Sequence, residues 1–374
     1  MSRAFDTIDR GILLTDLKNI LEPDTLHLVS LLLTDVTLQV RHNKTLGKPF
    51  KPDIGSPQGD CASPIWFIYY LHKALESTTL ESPRNTALDI QHDHNYTTED
   101  KHRKITKIQK AYTIDQQYAD DISWITTSKT VTENIKNTIP TVLTERNLII
   151  NQDKTEEYSI NRNSDDQKWK HCRYLGSLLG NQEDIKRRKQ LASAAFNKNK
   201  KSLCSNKITL EIRIRIFEAL ISSIFLYNSE LWTLKRTDII KIDTFQRSFL
   251  RQIVRTKRIN NTHLYNITKT DPWSITIQSK RLKWLGHMLR LPDEAPARKA
   301  FDEANNKNVK KVRGGQPLQW LKTVDRDLKN IDSKLEDAIK LAGDRDLYKS
   351  LVDRVRARSL SEQFPEVTEQ LTEE

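Results

Sequence analysis

The stretch that most constrains the fold is residues 111–127, which read Ala-Tyr-Thr-Ile-Asp-Gln-Gln-Tyr-Ala-Asp-Asp-Ile-Ser-Trp-Ile-Thr-Thr. Two β-prone runs flank a short polar tip, and this pattern is typical of a β-hairpin. The tip carries two adjacent carboxylates, Asp120 and Asp121. Neighbouring side chains of an extended strand point to opposite faces, so only a turn lets both carboxylates converge. Because Mg²⁺ prefers hard oxygen ligands, we predict a cation-binding hairpin tip, with a solvated turn as the alternative.

The composition indicates a soluble, helix-rich chain with more than one domain. Of the 374 residues, 37% are hydrophobic and 29% are charged, and only 10 are Gly and 12 are Pro. No apolar run approaches the roughly 20 residues that a membrane span needs, and no signal peptide is visible. The three cysteines are widely spaced, which predicts neither disulfides nor a zinc finger. We therefore expect no membrane partner and an intracellular, reducing compartment.

The net charge of +12 is concentrated in one segment. Residues 181–260 contain 18 Lys and Arg against 7 Asp and Glu, a difference of +11. They include the run Lys186-Arg187-Arg188-Lys189, one of several scattered basic clusters. A concentrated basic segment suits a polyanionic partner, because Lys and Arg neutralise phosphates. A solvated helix surface is the alternative.

The predicted secondary structure changes character near residue 181. Upstream, helices alternate with strand-like runs at 36–40, 49–54, 148–150 and 158–160, which predicts an α+β layer of helices on an antiparallel sheet. Downstream, the apolar spacing predicts helices at 184–202, 209–226, 237–254, 275–291, 318–329, 335–341 and 344–358. The tryptophans are interpreted as core residues, and His287 beside Trp284 as a structural histidine rather than a ligand. Residues 361–374, rich in Glu, are predicted to be a disordered tail.

Five short motifs follow one another along the chain. They are Ala4-Phe5-Asp6-Thr7-Ile8-Asp9-Arg10; Ser56-Pro57-Gln58-Gly59 with Ser63-Pro64; Tyr118-Ala119-Asp120-Asp121; Asn151 with Lys154-Thr155-Glu156; and Tyr174-Leu175-Gly176. In this order they resemble the palm motifs of reverse transcriptases from non-LTR, LINE-like retrotransposons. The helical region is similar as well, notably Tyr227 with Leu231-Trp232, and residues 281–293.

The resemblance implies a partial polymerase palm at 1–180, an all-helical basic thumb at 181–260 and a helical C-terminal region at 261–360. It also implies an RNA-directed DNA polymerase acting on an RNA template, a DNA primer and dNTPs. Two Mg²⁺ ions are implied as cofactors, with Mn²⁺ as a substitute, held in part by Asp120 and Asp121. Lys154 is implied as a general acid or charge stabiliser for the leaving pyrophosphate, with a surface lysine as the alternative. The nucleus is the expected compartment and the cytoplasm the alternative.

Further residues gain substrate-binding roles from the same resemblance. Gln58 and Gly59 are implied to contact the incoming nucleotide and the template. Phe5 is implied as a ring beneath the sugar that disfavours a 2′-hydroxyl, with an ordinary core aromatic as the alternative. The fifth motif is implied to be the primer grip, formed by Tyr174, Leu175 and Gly176.

The first motif departs from the family pattern. In the family, its metal-binding Asp lies six residues before the Asp of Ala-Phe-Asp, which would be the position before Met1. Asp6 and Asp9 do not occupy the equivalent place. We therefore expect an N-terminally truncated domain without fingers and with weakened polymerase activity. The alternatives are an inactive retroelement remnant that only binds nucleic acid, and a structural helical protein with a chance Asp-Asp turn.

Overall fold

The computed structural model describes residues 4–56, 59–76, 113–126, 129–160, 166–256, 258–304 and 319–363. They belong to two compact units, Met1–Glu156 and Glu157–Glu374. Most of these residues are helical and the strands form short antiparallel pairs, in agreement with the predicted α+β class. Within the described ranges, no helix is both long enough and apolar enough to cross a membrane. The domain boundaries at 180, 260 and 360 stay predictions.

The described residues of the first unit form four α-helices and two hairpins. Asp9 caps the first helix by accepting a hydrogen bond from the Ile12 amide, and Pro23 begins the second helix at the position where proline is best tolerated. In chain order the elements are α1 (Arg10–Leu17), α2 (Pro23–Thr34), β1 (Arg41–His42), β2 (Thr45–Leu46), α3 (Ser63–Glu76), β3 (Thr113–Tyr118), β4 (Asp121–Thr126) and α4 (Lys129–Thr144).

Helices α1–α4 share one hydrophobic core. Its members are buried and include Leu13, Leu17, Phe67, Tyr70 and Leu143. Two side chains of β4, Ile122 and Trp124, pack against this core and attach the hairpin to the helices.

The predicted single sheet of the palm is not found among the described residues. The strands pair only with their hairpin neighbours and form three separate two-stranded sheets. In place of the strands predicted at 36–40 and 49–54, the structure has an isolated β-bridge between Leu38 and Phe50. Those predicted at 148–150 and 158–160 are not strands. β-Prone side chains form a strand only where a partner and a half-buried face exist, whereas Leu38, Phe50 and Ile160 are exposed.

In the described part of the second unit, the 3₁₀ turn Lys168–His171 precedes a short hairpin, and the elements that follow are helical. Its helices Asn261–Thr268 and Pro296–Ala304 were not predicted. The last helix, Arg345–Gln363, extends beyond residue 361, where we predicted the tail to begin, and residues 364–374 lie outside the described ranges. The elements are β5 (Arg173–Tyr174), β6 (Ser177–Leu178), α5 (Asn181–Leu203), α6 (Leu210–Phe217), α7 (Ser223–Phe225), α8 (Arg236–Val254), α9 (Asn261–Thr268), α10 (Trp273–Arg290), α11 (Pro296–Ala304), α12 (Trp320–Lys329), α13 (Leu335–Leu341) and α14 (Arg345–Gln363).

Between α6 and α7 the chain makes a π-helical turn, Glu218–Ser222. A π turn holds more residues than an α turn, so it shifts the side chains that follow it around the helix axis. Phe217, Ile221 and Phe225, four residues apart in sequence, are all fully buried. The rings of Phe217 and Phe225 lie nearly parallel to that of Trp273, with centroids 6.0 Å and 4.3 Å away. The π turn thus brings both phenylalanines to one face of the core.

Not every tryptophan is a core residue. Trp232 and Trp273 are buried as predicted, but Trp284 is 37% exposed, and His287 beside it is also exposed. The two rings lie 5.2 Å apart. The buried face of α10 carries Ile277 and Leu285 instead, which places Trp284 and His287 towards solvent. The interpretation of Trp284 as a core residue was therefore wrong, and that of His287 as a structural histidine rather than a ligand stays a prediction.

Candidate functional site

The carboxylate pair lies at the tip of the β3–β4 hairpin. Tyr118 pairs with Asp121, which leaves Ala119 and Asp120 as a two-residue turn. Ala119 has a positive φ of 52°, as required at the first central position of type I′ and II′ turns. Asp120 is half-buried within the turn, and Asp121 is the exposed first residue of β4. The predicted hairpin is confirmed, and it places the two carboxylates at neighbouring positions of one tip.

The far end of the same hairpin is fixed to helix α4. The hydroxyls of Thr126 and Thr132 lie 2.8 Å apart and share a hydrogen bond. Together with the packing of Ile122 and Trp124 against the core, this contact anchors the strands that carry the tip. The carboxylates therefore rest on a supported hairpin rather than on an unattached loop.

A second loop is joined to the start of the chain by its backbone. The amides of Gly55 and Ser56 donate to the carbonyls of Ile8 and Phe5, at 2.8 Å and 2.9 Å. Gly55 has a φ of +82°, and a Cβ there would lie only 2.9 Å from the Asp6 carbonyl oxygen, so only glycine fits this close approach. The hydroxyl of Ser56 donates to that of Ser63 at 2.6 Å, which closes the loop onto the start of α3.

The side chain of Arg10 forms hydrogen bonds with this loop and with helix α2. Its guanidinium donates to the carbonyl oxygens of Gly55 (2.7 Å), Leu33 (2.5 Å) and Pro52 (2.6 Å). Leu33 lies in the last turn of α2, where carbonyls lack helical partners. Burial lowers the pKa of Arg10, and the nearby Asp53 opposes that effect. Arg10 thus joins α1, α2 and the loop that leads to Gly59.

The residues assigned to nucleotide binding have different surroundings. Phe5 is half-buried and packs against Phe67, with ring centroids 4.7 Å apart. Gly59 is exposed and has a φ of +92°, and a Cβ added to it would meet no described atom within 4 Å. Gln58 lies outside the described residues. The contact with Phe67 gives Phe5 a packing role, and its role beneath a sugar stays a prediction.

Among the described residues, neither aspartate of the first motif forms part of a carboxylate cluster. Asp6 is exposed on the short 3₁₀ turn Ala4–Asp6. Asp9 uses one carboxylate oxygen to cap α1, at 2.9 Å from the Ile12 amide, and the other accepts from Asn147 at 3.4 Å. Asp9 therefore has a structural role at the start of α1, and its absence from the metal ligands stays a prediction.

Lys154 ends a second 3₁₀ turn, Gln152–Lys154. The Asn151 side chain caps this turn by accepting from the Lys154 amide at 3.2 Å, and the Thr155 hydroxyl donates to the Asn151 carbonyl at 2.8 Å. The Lys154 side chain is exposed. Asn151 therefore fixes the backbone of Lys154 while the ammonium group stays in solvent.

The predicted primer grip is the tight β5–β6 hairpin. Both turn residues have positive φ, 44° at Leu175 and 82° at Gly176, as a type I′ turn requires. Tyr227 donates its hydroxyl to the Leu175 carbonyl at 2.9 Å, and Arg187 and Arg188 donate to the Gly176 carbonyl at 2.9 Å and 2.6 Å. These partners were missed, because Arg188 was read as part of a basic surface run and is in fact buried.

The tip of the β3–β4 hairpin fits a divalent cation by donor type but offers only part of a ligand set. Mg²⁺ binds through one or two carboxylates and keeps other positions for water and phosphate, and Asp120 and Asp121 are donors of this kind. Within the described ranges, no group of three or more His, Cys, Asp or Glu side chains is arranged to hold a metal ion. The described residues of the tip thus supply two candidate ligands.

Comparison with known proteins finds one family model that is similar to the first part of the chain. A search of curated proteins finds no match. The segment that matches a family model contains both loops, the carboxylate hairpin and the β5–β6 hairpin. Residues 1–179 match the family described as reverse transcriptase (RNA-dependent DNA polymerase).

Proposed function

We propose that this chain is an RNA-directed DNA polymerase domain of a LINE-like, non-LTR retrotransposon. The observation that carries the proposal is the Asp120-Asp121 pair at the tip of an anchored hairpin, inside the segment that matches the reverse transcriptase family. The reaction is the attack of a primer 3′-hydroxyl on the α-phosphate of a dNTP, with pyrophosphate leaving. An RNA template selects the dNTP, and the nucleus is the proposed compartment.

The proposed roles of individual residues are those that the resemblance implies. Asp120 and Asp121 would hold Mg²⁺ or Mn²⁺, which when bound neutralises the triphosphate and activates the primer hydroxyl. Lys154, whose ammonium group is exposed on a capped turn, donates a proton to the leaving pyrophosphate or offsets its charge. Phe5 forms a wall beside the sugar, while Gln58 and the backbone at Gly59 contact the nucleotide and the template.

The basic helices of residues 181–260 are proposed to bind the template–primer duplex through its phosphates. Lys186, Lys198 and Lys201 on α5 and Lys241 on α8 are exposed. Burial lowers the pKa of Lys189 on α5, and repulsion from Lys241 on α8 lowers it further. Such contacts give an affinity that falls with salt concentration.

Asp9 is not proposed as a third metal ligand, because both of its carboxylate oxygens have structural partners. Loss of one carboxylate from a two-metal site removes several kcal/mol of transition-state stabilisation, and each ~1.36 kcal/mol is tenfold in rate.

The test is incorporation of a labelled dNTP on an RNA template with a DNA primer, with Mg²⁺ or Mn²⁺. We expect incorporation that Asp120→Asn and Asp121→Asn each reduce at least about 100-fold, the rate equivalent of roughly 3 kcal/mol. Asp24→Asn is the matched control, because Asp24 is an exposed aspartate on α2 of the same unit. Incorporation that is unaffected by both hairpin variants contradicts the proposed site.

A second candidate is a remnant that binds nucleic acid without catalysis, favoured by the concentration of positive charge in residues 181–260. Salt-dependent binding of an RNA–DNA duplex, with no incorporation under any of these conditions, would support it. Absence of both binding and incorporation would leave neither proposal standing.

A further inference from the structure

The turn of the β5–β6 hairpin depends on side chains that lie far from it in sequence. We propose that Tyr227 and Arg188 are positioning residues that set the conformation of the Leu175-Gly176 turn and thereby the affinity for the primer–template. This inference rests on the proposed function, because it concerns the predicted primer grip. Neither residue is proposed to contact substrate.

The turn needs external support because its conformation is strained. Leu175 has a φ of 44°, in the left-handed region that a side chain disfavours, at a cost of about 1–3 kcal/mol. Strands β5 and β6 contain two residues each, and a two-stranded hairpin is marginal even when its strands are longer. The ladder between these strands is therefore too short to impose the turn, and contacts outside the hairpin must stabilise it.

Tyr227 supplies the first of these contacts. Its hydroxyl donates to the Leu175 carbonyl at 2.9 Å, which fixes the peptide group between the two turn residues. The ring of Tyr227 lies against Gly176, since a Cβ on that glycine would be 3.5 Å from the ring. The ring contact and the hydrogen bond act on adjacent residues of the same turn.

Arg188 supplies the second contact, from helix α5. One of its terminal nitrogens donates to the Gly176 carbonyl at 2.6 Å and to the Ser177 hydroxyl at 3.2 Å. Its guanidinium carbon lies 4.5 Å from the centre of the Tyr227 ring, so the two anchors also support each other. Only 6% of the arginine is exposed. The buried guanidinium contacts a turn carbonyl and an aromatic ring at the same time. The ammonium group of a lysine has a compact charge and does not replace both contacts.

A further carboxylate fixes Arg188 and the hairpin together. Asp184, one turn earlier on α5, is almost fully buried and accepts hydrogen bonds from the Leu178 amide (3.0 Å) and the Trp232 indole (2.9 Å). It lies 3.8 Å from the Nε atom of Arg188. The same helix thus holds the second strand of the hairpin by Asp184 and its turn by Arg188.

Two variants test the inference with little loss of packing. Tyr227→Phe removes only the hydroxyl, and Arg188→Lys keeps the charge but loses the planar fork. We expect each to raise KM for the primer–template about three- to tenfold and to change kcat less than about twofold, because the turn acts on binding. Tyr348→Phe is the matched control, since it removes a tyrosine hydroxyl that donates to a backbone carbonyl, that of Leu282, at 2.8 Å in the same unit.

A structural measurement accompanies the kinetics. Amide hydrogen exchange at Gly176 and Ser177 should become several-fold faster in Tyr227→Phe and stay unchanged in Tyr348→Phe. Faster exchange with an unchanged KM, or an unchanged exchange rate, overturns the positioning role. If the wild-type chain neither incorporates dNTPs nor binds the duplex, the proposed function fails, whereas an active wild type with unaffected variants contradicts only this inference.

Discussion

Removal of the Arg10 guanidinium is expected to release the loop that leads from Pro52 to Gly59. In Arg10→Met the apolar stem of the side chain is kept, but the carbonyls of Gly55, Leu33 and Pro52 lose their donor. The Leu33 carbonyl has no helical partner to replace it, because it belongs to the last turn of α2.

The expected magnitude follows from these three hydrogen bonds. Each contributes about 1 kcal/mol net to stability, and the value is higher when a donor is charged. The desolvation of the arginine, visible as its lowered pKa, offsets part of that gain. We therefore expect the loop to lose about 3 kcal/mol of stability, which is roughly a 100-fold increase in the population of its open form.

Amide hydrogen exchange measures this opening at the loop itself. The amides of Gly55 and Ser56 bond to the carbonyls of Ile8 and Phe5, so both are protected only while the loop is closed. In Arg10→Met both should exchange about 100-fold faster when reclosing outpaces chemical exchange, and Arg10→Lys should fall between the variant and the wild type. Arg41→Met is the control, because Arg41 is exposed on β1.

Exchange in Arg10→Met within about threefold of the wild-type rate would refute the reasoning. It would mean that water satisfies the three carbonyls as well as the guanidinium does. A uniform increase across α1–α4 would instead mean that the whole unit is destabilised and that the effect is not confined to the loop.

Two further predictions concern stability. Ala119→Gly should slow amide exchange in the β3–β4 hairpin, because it relieves the positive φ of 52° at a residue with a Cβ, by about 1 kcal/mol; faster exchange would contradict the strain. Burial raises the pKa of Asp243 above its usual value of 3.8, although Ser274 donates to it from its amide and its hydroxyl. Between the unfolded and folded pKa values, the folded state holds a proton that the unfolded state has lost, so the free energy of unfolding should fall as the pH rises through that interval. Asp243→Asn should remove the contribution of this residue to the slope, measured by denaturant titration at a series of pH values; an unchanged slope would contradict the raised pKa.

Features that depend on a few neighbouring residues were predictable from the sequence. The β3–β4 hairpin was predicted because two β-prone runs and a polar tip lie within residues 111–127, and its register brings Tyr118 opposite Asp121. The long helices of the second unit were predicted from apolar spacing. Helix α9 was missed, although Asn260 caps it by accepting from the His263 amide and could have indicated its start.

Features that depend on distant partners were not predictable. The run at 49–54 has strand-like composition, but its pairing is confined to one bridge at Phe50, and composition does not report whether a partner strand is present. The contacts of Arg188 and Tyr227 with the β5–β6 turn join residues 12 and 52 positions apart. The sequence does not show whether an arginine in a basic run, or a tyrosine, is exposed or binds a distant turn. The positions of these two side chains were therefore known only from the structure.

The π-helical turn at Glu218–Ser222 also affects how this region tolerates changes in length. Because the turn accommodates an extra residue, removal of one residue there would restore ordinary α-helical winding locally. The same deletion within α8 would rotate every following side chain by about 100° and turn core residues towards solvent. At Glu218–Ser222, by contrast, the deletion would leave Phe217 and Phe225 seven residues apart, which in an α-helix is within about 20° of the same face. The shortened helix would therefore keep both rings on the side of Trp273.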